Sequence, residues 1–207
     1  MPKLKKEYAD LRKKEIIKAA WKSFMEKGYE KTTMREIAER MSASTGILYT
    51  YFKTKGEILE EMQTGILDRI QHVLTEMNKR DSVRETYAGF FSNEFKFPSE
   101  NIARKNCRAM VGLLAEALRS EDVRKLMNSS FRKIEEGGAK LIEKGIKNGE
   151  IHSHVDPKAV AGLFQALEWG LWMQIALIDG LDINSCTDNI TKILMGNVWR
   201  NPKVTEK

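Results

Sequence analysis

Apolar residues recur at helical spacing along most of the chain, and short polar connections separate the repeats. Ile17, Ala20, Trp21 and Phe24 share one face of a first predicted helix, from about 8 to 27. Gly28 then predicts its end, because glycine adopts the left-handed conformation at low cost. No segment shows the period-two alternation of a half-buried strand. The pattern predicts an all-α fold of about nine helices.

Three helix starts follow in the segment 32–59. Thr33 with Glu36 forms a capping box for a second helix, and Ser44 caps a third helix after the turn Ser42-Ala43. Thr54 with Glu57 forms another capping box, which opens a long fourth helix over 55–78. Two short helices joined by a tight turn are typical of a helix-turn-helix unit, whose second helix enters the major groove of DNA.

Longer helices with short connections are predicted beyond this segment, at about 82–95, 101–119, 121–148, 157–178 and 185–199. Gly137-Gly138 interrupts one of them, which indicates a kink, close packing beside a cavity, or a tolerated weakness. We expect a DNA-binding domain at 1–54 and a ligand-binding and dimerisation domain at 55–207, connected by the helix 55–78.

The positive charge is concentrated beside the predicted helix-turn-helix. Residues 1–56 contain 14 Lys and Arg against 7 Asp and Glu, whereas residues 57–207 contain 21 against 22. A phosphate-rich partner explains this asymmetry, although a solvated basic face would produce it too. The two cysteines form no C-x-x-C pair, and no signal peptide or membrane span is evident, so a cytoplasmic location is expected.

A helix in a DNA groove needs short polar side chains, hydroxyl groups or exposed N–H groups toward the duplex. The candidate DNA-contacting residues are Thr33, Ser44, Thr45, Gly46, Ile47, Tyr49, Thr50, Tyr51 and Lys55. Thr33 could act only as a cap, and the tyrosines could simply pack. Ile47 could contact a thymine methyl group or pack inward.

Three segments of the N-terminal part have a distinctive pattern. They are Ile16-Ile17-x-Ala19-Ala20-x-x-x-Phe24-x-x-x-Gly28-Tyr29, Thr32-Thr33-Met34-Arg35-Glu36-Ile37-Ala38, and Gly46-Ile47-Leu48-Tyr49-x-Tyr51-Phe52-x-x-Lys55. Together they resemble the N-terminal domain of the TetR/AcrR family of bacterial repressors. The resemblance implies phosphate contacts at Thr33, Tyr49, Tyr51 and Lys55, and base contacts at Ser44, Thr45, Gly46 and Thr50. Thr45 replaces a lysine frequent in the family, so the operator sequence does not follow from the resemblance.

The segment 159–178 is apolar nearly all round, and such a helix must be covered on all sides. Together with an apolar face on the last predicted helix, it resembles the pair of helices that forms the family's dimer interface. The candidate interface residues are Gly162, Ala166, Gly170, Ile190, Ile193, Leu194 and Val198. The alternative is the internal core of a monomer.

Aromatic and methionine residues of the second domain are candidates for an effector cavity, because such cavities are mostly apolar with few polar groups. The candidates are Phe91, Phe95, Met110, Met127, Phe131, Glu168, Trp169, Trp172 and Met173. Glu116 and Glu168 lie within apolar stretches, where a carboxylate could pair with a cationic ligand or with an arginine of the protein.

These features favour a ligand-responsive repressor. Its expected partners are double-stranded operator DNA, a second copy of the chain in a homodimer, and a small hydrophobic effector. An activator of the same fold is the first alternative, and a basic helical module that binds anionic membrane or acidic protein is another. No catalytic, metal or cofactor motif occurs in the sequence, so no enzyme, cofactor or membrane partner is expected.

Overall fold

The computed structural model describes residues 2–186 and Asn189, and it describes the side chains of these residues except 2–6, 91, 92 and 94. Within this part of the chain, eight helices are connected by turns and loops, helical residues at 183–186 follow them, and no β-strand is formed. The helices are α1 (Pro2–Lys27), α2 (Met34–Arg40), α3 (Thr45–Tyr51), α4 (Lys55–Lys79), α5 (Val83–Glu94), α6 (Glu100–Ala117), α7 (Glu121–Lys147) and α8 (Pro157–Leu177). The all-α prediction is confirmed.

The predicted helix boundaries agree with the structure except at the first helix. Helix α1 begins at Pro2 rather than near Tyr8, because the added turns contain lysine, leucine and glutamate, which favour helix. Gly28 ends α1 with φ +85°, as predicted. The last predicted helix begins among the helical residues 183–186, and most of it lies outside the described residues.

The chain divides into two compact units. The first unit contains Met1–Asp68 with Gly112–Ser130, and the second contains Arg69–Val111 with Phe131–Lys207. Helices α4, α6 and α7 therefore each contribute residues to both units. The predicted domain division at residue 54 is a functional one, and it stays a prediction.

The first unit buries one apolar face of each of its short helices. Helix α2 packs against α1 and α3, and its buried residues Ile37 and Ala38 point inward. Leu48 is the buried residue of α3, and Phe52 after it is also buried. Ser42 in the turn between α2 and α3 has φ 53°, a left-handed conformation that a short polar residue adopts more easily than a branched one.

The second unit has an apolar core built from α5, α6, α7 and α8. Tyr87 of α5 stacks on Phe164 of α8 with ring centroids 4.3 Å apart. The Tyr87 hydroxyl donates to the Gly138 carbonyl of α7 at 3.3 Å, so this buried polar group is satisfied. Ile142 and Ile151 are completely or almost completely buried in the same core.

The cap of α2 has the predicted form. The Thr33 side chain accepts from the Glu36 N–H at 3.2 Å, and the Glu36 carboxylate accepts from the Thr33 N–H at 2.9 Å. Lys27 also donates to this carboxylate, and it is the main reason that the pKa of Glu36 falls to about 2, with Thr33 as the second reason. The cap of α4 has half of the predicted box, because Thr54 Oγ1 accepts from the Glu57 N–H at 3.1 Å, whereas the Glu57 carboxylate accepts from the Lys53 N–H rather than from the Thr54 N–H.

Glu36→Gln is expected to lower stability at neutral pH by an amount that shrinks under acid conditions. A carboxyl group whose pKa is depressed in the folded state stabilises the fold above its unfolded pKa, and this contribution is lost as pH falls toward the folded pKa. The difference from the wild type should therefore decline between about pH 5 and about pH 2. Urea unfolding at several pH values measures it, with Glu39→Gln as the control. An equal loss at every pH would contradict the cap's contribution.

Gly145→Ala is expected to destabilise the second unit by about 1–3 kcal/mol, because a methyl group there overpacks a filled core. The added carbon would lie 2.6 Å from Ile151 Cδ1 and 3.5 Å from Val83 Cβ. Gly112→Ala is the matched control, since nothing lies within 4 Å of its added carbon, and it should gain about 0.5–1 kcal/mol. Chemical denaturation compares the two, and equal effects would contradict this packing.

Candidate nucleic-acid interface and effector cavity

Helix α3 exposes the face on which the sequence places its polar residues. Ser44 caps the helix by accepting from the Ile47 N–H at 3.4 Å. The exposed residues are Ser44, Thr45, Gly46, Ile47, Tyr49 and Thr50, and Tyr51 is half-buried. Ile47 is 46% exposed and Tyr49 is 43% exposed, so neither is an inward-packing residue of this chain. This surface of α3, with Thr33, is called the α3 face below.

Gly46 has no packing reason within this chain to be a glycine. A carbon added there would meet only Ser44 Oγ, at 3.8 Å, and its backbone is ordinary helix. The neighbouring Thr50 hydroxyl donates to the Gly46 carbonyl at 3.0 Å, which holds that side chain against the helix. The α3 face is therefore flat at its centre, and a partner's surface can approach the backbone closely.

Lys55 lies beside the turn that follows α1. Its ammonium group donates to the carbonyls of Tyr29 and Glu30, at 2.9 and 3.0 Å. The same group lies 4.4 Å from the centre of the Tyr29 ring. Lys55 thus stabilises the first unit by these contacts, in addition to any phosphate contact that the sequence predicts for it.

Residues 112–130 contact the same turn within the first unit. Glu116 Oε1 accepts from the Glu30 N–H at 3.3 Å, and the Tyr29 hydroxyl lies 3.5 Å from Asp122 Oδ2. Burial raises the pKa of Tyr29 to about 12, and Asp122 adds to the effect. The carboxylate of Glu116 also pairs with Arg119 at 3.8 Å. Glu116 therefore pairs with an arginine of the protein, which is one of the two roles that the sequence allows for it.

The second unit contains a cavity of about 480 Å³, a size typical of small-molecule sites. It is bounded by α4, α5, α7 and α8. Its lining is mostly apolar and consists of Arg69, Ile70, Val73, Leu74, Met77, Tyr87, Phe90, Ile134, Gly138, Leu141, Ala161, Phe164, Gln165 and Glu168. Three residues with charged or amide side chains, Arg69, Gln165 and Glu168, interrupt this apolar wall.

The Gln165 amide is an unusual group in this wall. Its Nε2 atom is buried and has no hydrogen-bond partner among the residues that the structure describes. An unsatisfied buried donor costs about 1–3 kcal/mol, so a bound acceptor would remove a real penalty. Arg69 is exposed and has no acidic side chain within 4.0 Å in the described part of the chain.

Of the predicted cavity residues, Glu168 lines this cavity. Phe95, Phe131, Trp169 and Trp172 instead form aromatic contacts with one another in the second unit, with ring centroids 5.3 to 6.5 Å apart. Four further candidates are placed elsewhere or not described: Met110 is half-buried, Met127 is buried in the first unit, Met173 is exposed, and the side chain of Phe91 lies outside the described residues.

Sequence reasoning missed the contribution of α4 to the cavity. Ile70, Val73 and Met77 belong to the apolar stripe of that helix, but a stripe does not show whether it faces filled core or empty space. Close packing beside the cavity at Gly137-Gly138 is confirmed. Side chains there would overlap Leu74 and lie 3.1 Å from Ala161 Cβ.

Helix α8 has a buried face and an exposed apolar face. Val160, Phe164, Leu171 and Ile175 are buried in the second unit. The opposite surface of the helix, called the α8 stripe below, consists of the exposed residues Ala159, Leu163, Ala166, Met173 and Leu177 and the half-buried Gly170. Gly162, also proposed for the interface, is half-buried. Ile190, Ile193, Leu194 and Val198 lie outside the described residues.

Two further features, a metal site and a membrane-spanning helix, are absent from the described part of the chain. No group of three or more His, Cys, Asp or Glu residues there is arranged to hold a metal ion. None of the described helices combines the length and apolar character that crossing a membrane requires.

Two family models match the chain. One describes bacterial regulatory proteins of the tetR family and matches residues 16–62, and the other describes the C-terminal part of BetI-type transcriptional repressors and matches residues 94–191. The first match contains α2, α3 and the beginning of α4, and therefore the α3 face.

Relatives and solved structures agree with these models. The uncharacterized HTH-type transcriptional regulator YhgD of Bacillus subtilis is 32% identical over 72% of this chain and 76% of its own. YfiR of the same organism, also an uncharacterized HTH-type regulator, is 29% identical over 79% and 78%. A transcriptional regulator from Saccharomonospora viridis, solved in complex with choline, matches 93% of this chain and 100% of its own, with a TM-score of 0.74 and 18% identity.

The last of these similarities shows the fold alone. The family models and YhgD go further, because they match in sequence across the helix-turn-helix and much of the remaining chain. With the helix-turn-helix in place and its polar face exposed, we conclude that the chain belongs to the TetR family of bacterial transcriptional regulators.

Proposed function

We propose that the protein is a ligand-responsive transcriptional repressor, which binds a palindromic operator as a homodimer and is released by a small apolar effector. The exposed α3 face is the single observation that supports this function most strongly. The proposed activity is regulation in the cytoplasm, without catalysis, cofactor or membrane partner.

The α3 face suits a DNA groove in shape and in chemistry. Thr45 and Gly46 present little side-chain bulk, so the backbone of α3 approaches base edges. Ile47 supplies an apolar group for a thymine methyl. Tyr49 and Tyr51 donate hydroxyl hydrogen bonds to phosphates at the edge of the contact. Ser44 and Thr50 add polar contacts, and Thr33 and Lys55 add N–H and ammonium donors.

The α8 stripe supports a dimer. Its residues follow a spacing of four and three, so they lie along one side of the helix, and Leu177 there is 68% exposed. Exposed apolar surface of this kind typically marks a protein interface. Two copies joined through the stripe and the last predicted helix, to which Ile190, Ile193, Leu194 and Val198 are assigned from the sequence, would present two α3 faces. Such a pair suits half-sites about 34–36 Å apart, or a multiple of that spacing.

Helix α4 connects effector and operator in this proposal. Its first turns are buried in the first unit by Ile58, Leu59 and Met62, and its later turns line the cavity through Ile70 and Met77. An effector that prefers a shifted α4 would change the separation of the two α3 faces. A coupling of about 1–3 kcal/mol would weaken operator binding roughly 5–150-fold.

Tyr49→Phe is expected to weaken binding to selected and random duplexes by a similar factor of about ten, because a phosphate contact is independent of sequence. Ile47→Ala should instead change the preferred bases at one position of each half-site. Selection from a random duplex pool, followed by titration of the chosen site, measures both effects. Thr64→Ala is the control, since Thr64 is an exposed hydroxyl of α4 outside the α3 face. A wild-type protein that selects no palindrome would contradict the proposal.

Met173→Glu is expected to convert the dimer into a monomer, because it places a charge within an apolar interface. Met173 is 50% exposed in the single chain, so the fold itself should tolerate the change. Sedimentation velocity measures the mass, and circular dichroism checks the helix content. Lys158→Glu is the matched control, because Lys158 is exposed at the start of α8 outside the stripe. A dimer that survives Met173→Glu would place the interface elsewhere.

A further inference from the structure

The cavity of the second unit contains enough chemistry to define the class of molecule that it accepts. Its shape is set by α4, α5, α7 and α8, and most of its wall is aliphatic or aromatic. The Tyr87 hydroxyl is already used, since it donates to the Gly138 carbonyl. The groups that choose among apolar ligands are therefore Arg69, Gln165 and Glu168.

The Gln165 side chain has a hydrogen-bond donor without an acceptor in the described part of the chain. Its Nε2 is buried and has no partner among the described residues, although the side chain lines the cavity. A ligand oxygen would accept this hydrogen bond, whereas a ligand ammonium group would offer the amide nitrogen only another donor. The unpartnered Gln165 Nε2 therefore favours a ligand that presents an acceptor oxygen to it.

Arg69 adds a positive charge to the same cavity. Arg69 is an exposed residue, and no described carboxylate lies within 4.0 Å of its guanidinium group. Guanidinium groups bind carboxylates with strong, charge-assisted hydrogen bonds. Glu168, one helical turn beyond Gln165, brings a negative charge to the cavity lining, opposite in sign to that of Arg69. Glu168 already takes part in another interaction.

We propose that the effector is an apolar molecule with a carboxylate at one end, whose oxygens accept from Gln165 Nε2 and pair with Arg69. The apolar part fills the space between Ile70, Leu74, Phe90 and Phe164. The role of this ligand as an effector rests on the proposed function, but its binding to the cavity can be measured without DNA. The cavity accordingly discriminates against cationic amphipaths of the same length.

The test compares three probes with similar carbon chains by isothermal titration calorimetry on the full chain: decanoate, methyl decanoate and decylamine. Decanoate should bind at least ten-fold more tightly than decylamine. Gln165→Leu should weaken both decanoate and the ester about ten-fold, because both contain acceptor oxygens. Arg69→Met should weaken decanoate by a similar factor and leave the ester unchanged.

Two controls remove the same chemical groups from outside the cavity. Gln71→Leu deletes an exposed amide of α4 whose Nε2 donates to Thr75, and Arg132→Met deletes an exposed guanidinium of α7. Neither should change decanoate affinity. Thermal unfolding of every variant shows whether the chain is folded, and a Gln165→Asn variant keeps the amide if Gln165→Leu does not fold.

The outcomes separate this inference from the proposed function. Stronger binding of decylamine, with loss of that binding in Glu168→Gln, would show that the cavity prefers cationic ligands and would overturn the inference. Equal binding of all three probes, or no binding at all, would overturn it too. Operator binding is measured on the same samples, so a protein that selects its palindrome but ignores decanoate rejects the ligand class alone. A protein without operator binding that still prefers decanoate rejects the repressor instead.

Discussion

The burial of one unbroken helix, α4, in two different cores is the constraint on which the other features depend. Ile58, Leu59 and Met62 are buried among the helices of the first unit. Met77 packs against the core of the second unit, and Ile70 lines its cavity. The proposed mechanism depends on this continuity, because a helix shared by both units would let an effector in the cavity act on the position of the α3 face.

Polar contacts around the turn after α1 connect α4 with the rest of the first unit. Lys55 of α4 donates to two carbonyls of that turn, and Glu116 accepts one of its N–H groups. These two side chains come from distant parts of the sequence and meet at Tyr29 and Glu30. In the proposed mechanism, a movement of α4 that keeps these contacts would carry the turn after α1 with it.

The helices and the α3 face could be predicted from the sequence because their causes are local. A cap such as Thr33 with Glu36 acts over three residues, and an apolar period defines the buried side of a helix without knowledge of its partner. The cavity could not be predicted in this way. Its lining depends on which turns of α4 and α8 face each other across empty space, and the aromatic residues favoured from composition, such as Trp169 and Phe131, pack on each other instead.

Helix α8 shows why hydropathy alone was insufficient there. The same apolar composition serves a core face with Phe164 and Leu171, and an exposed stripe with Met173 and Leu177. A polar residue in such a helix indicates a surface that is neither packed core nor apolar interface. Gln165 is such a residue, and it lines the cavity. A buried amide is expensive in an apolar wall unless it is bonded. The proposed ligand, by accepting from Gln165 Nε2, would offset this cost.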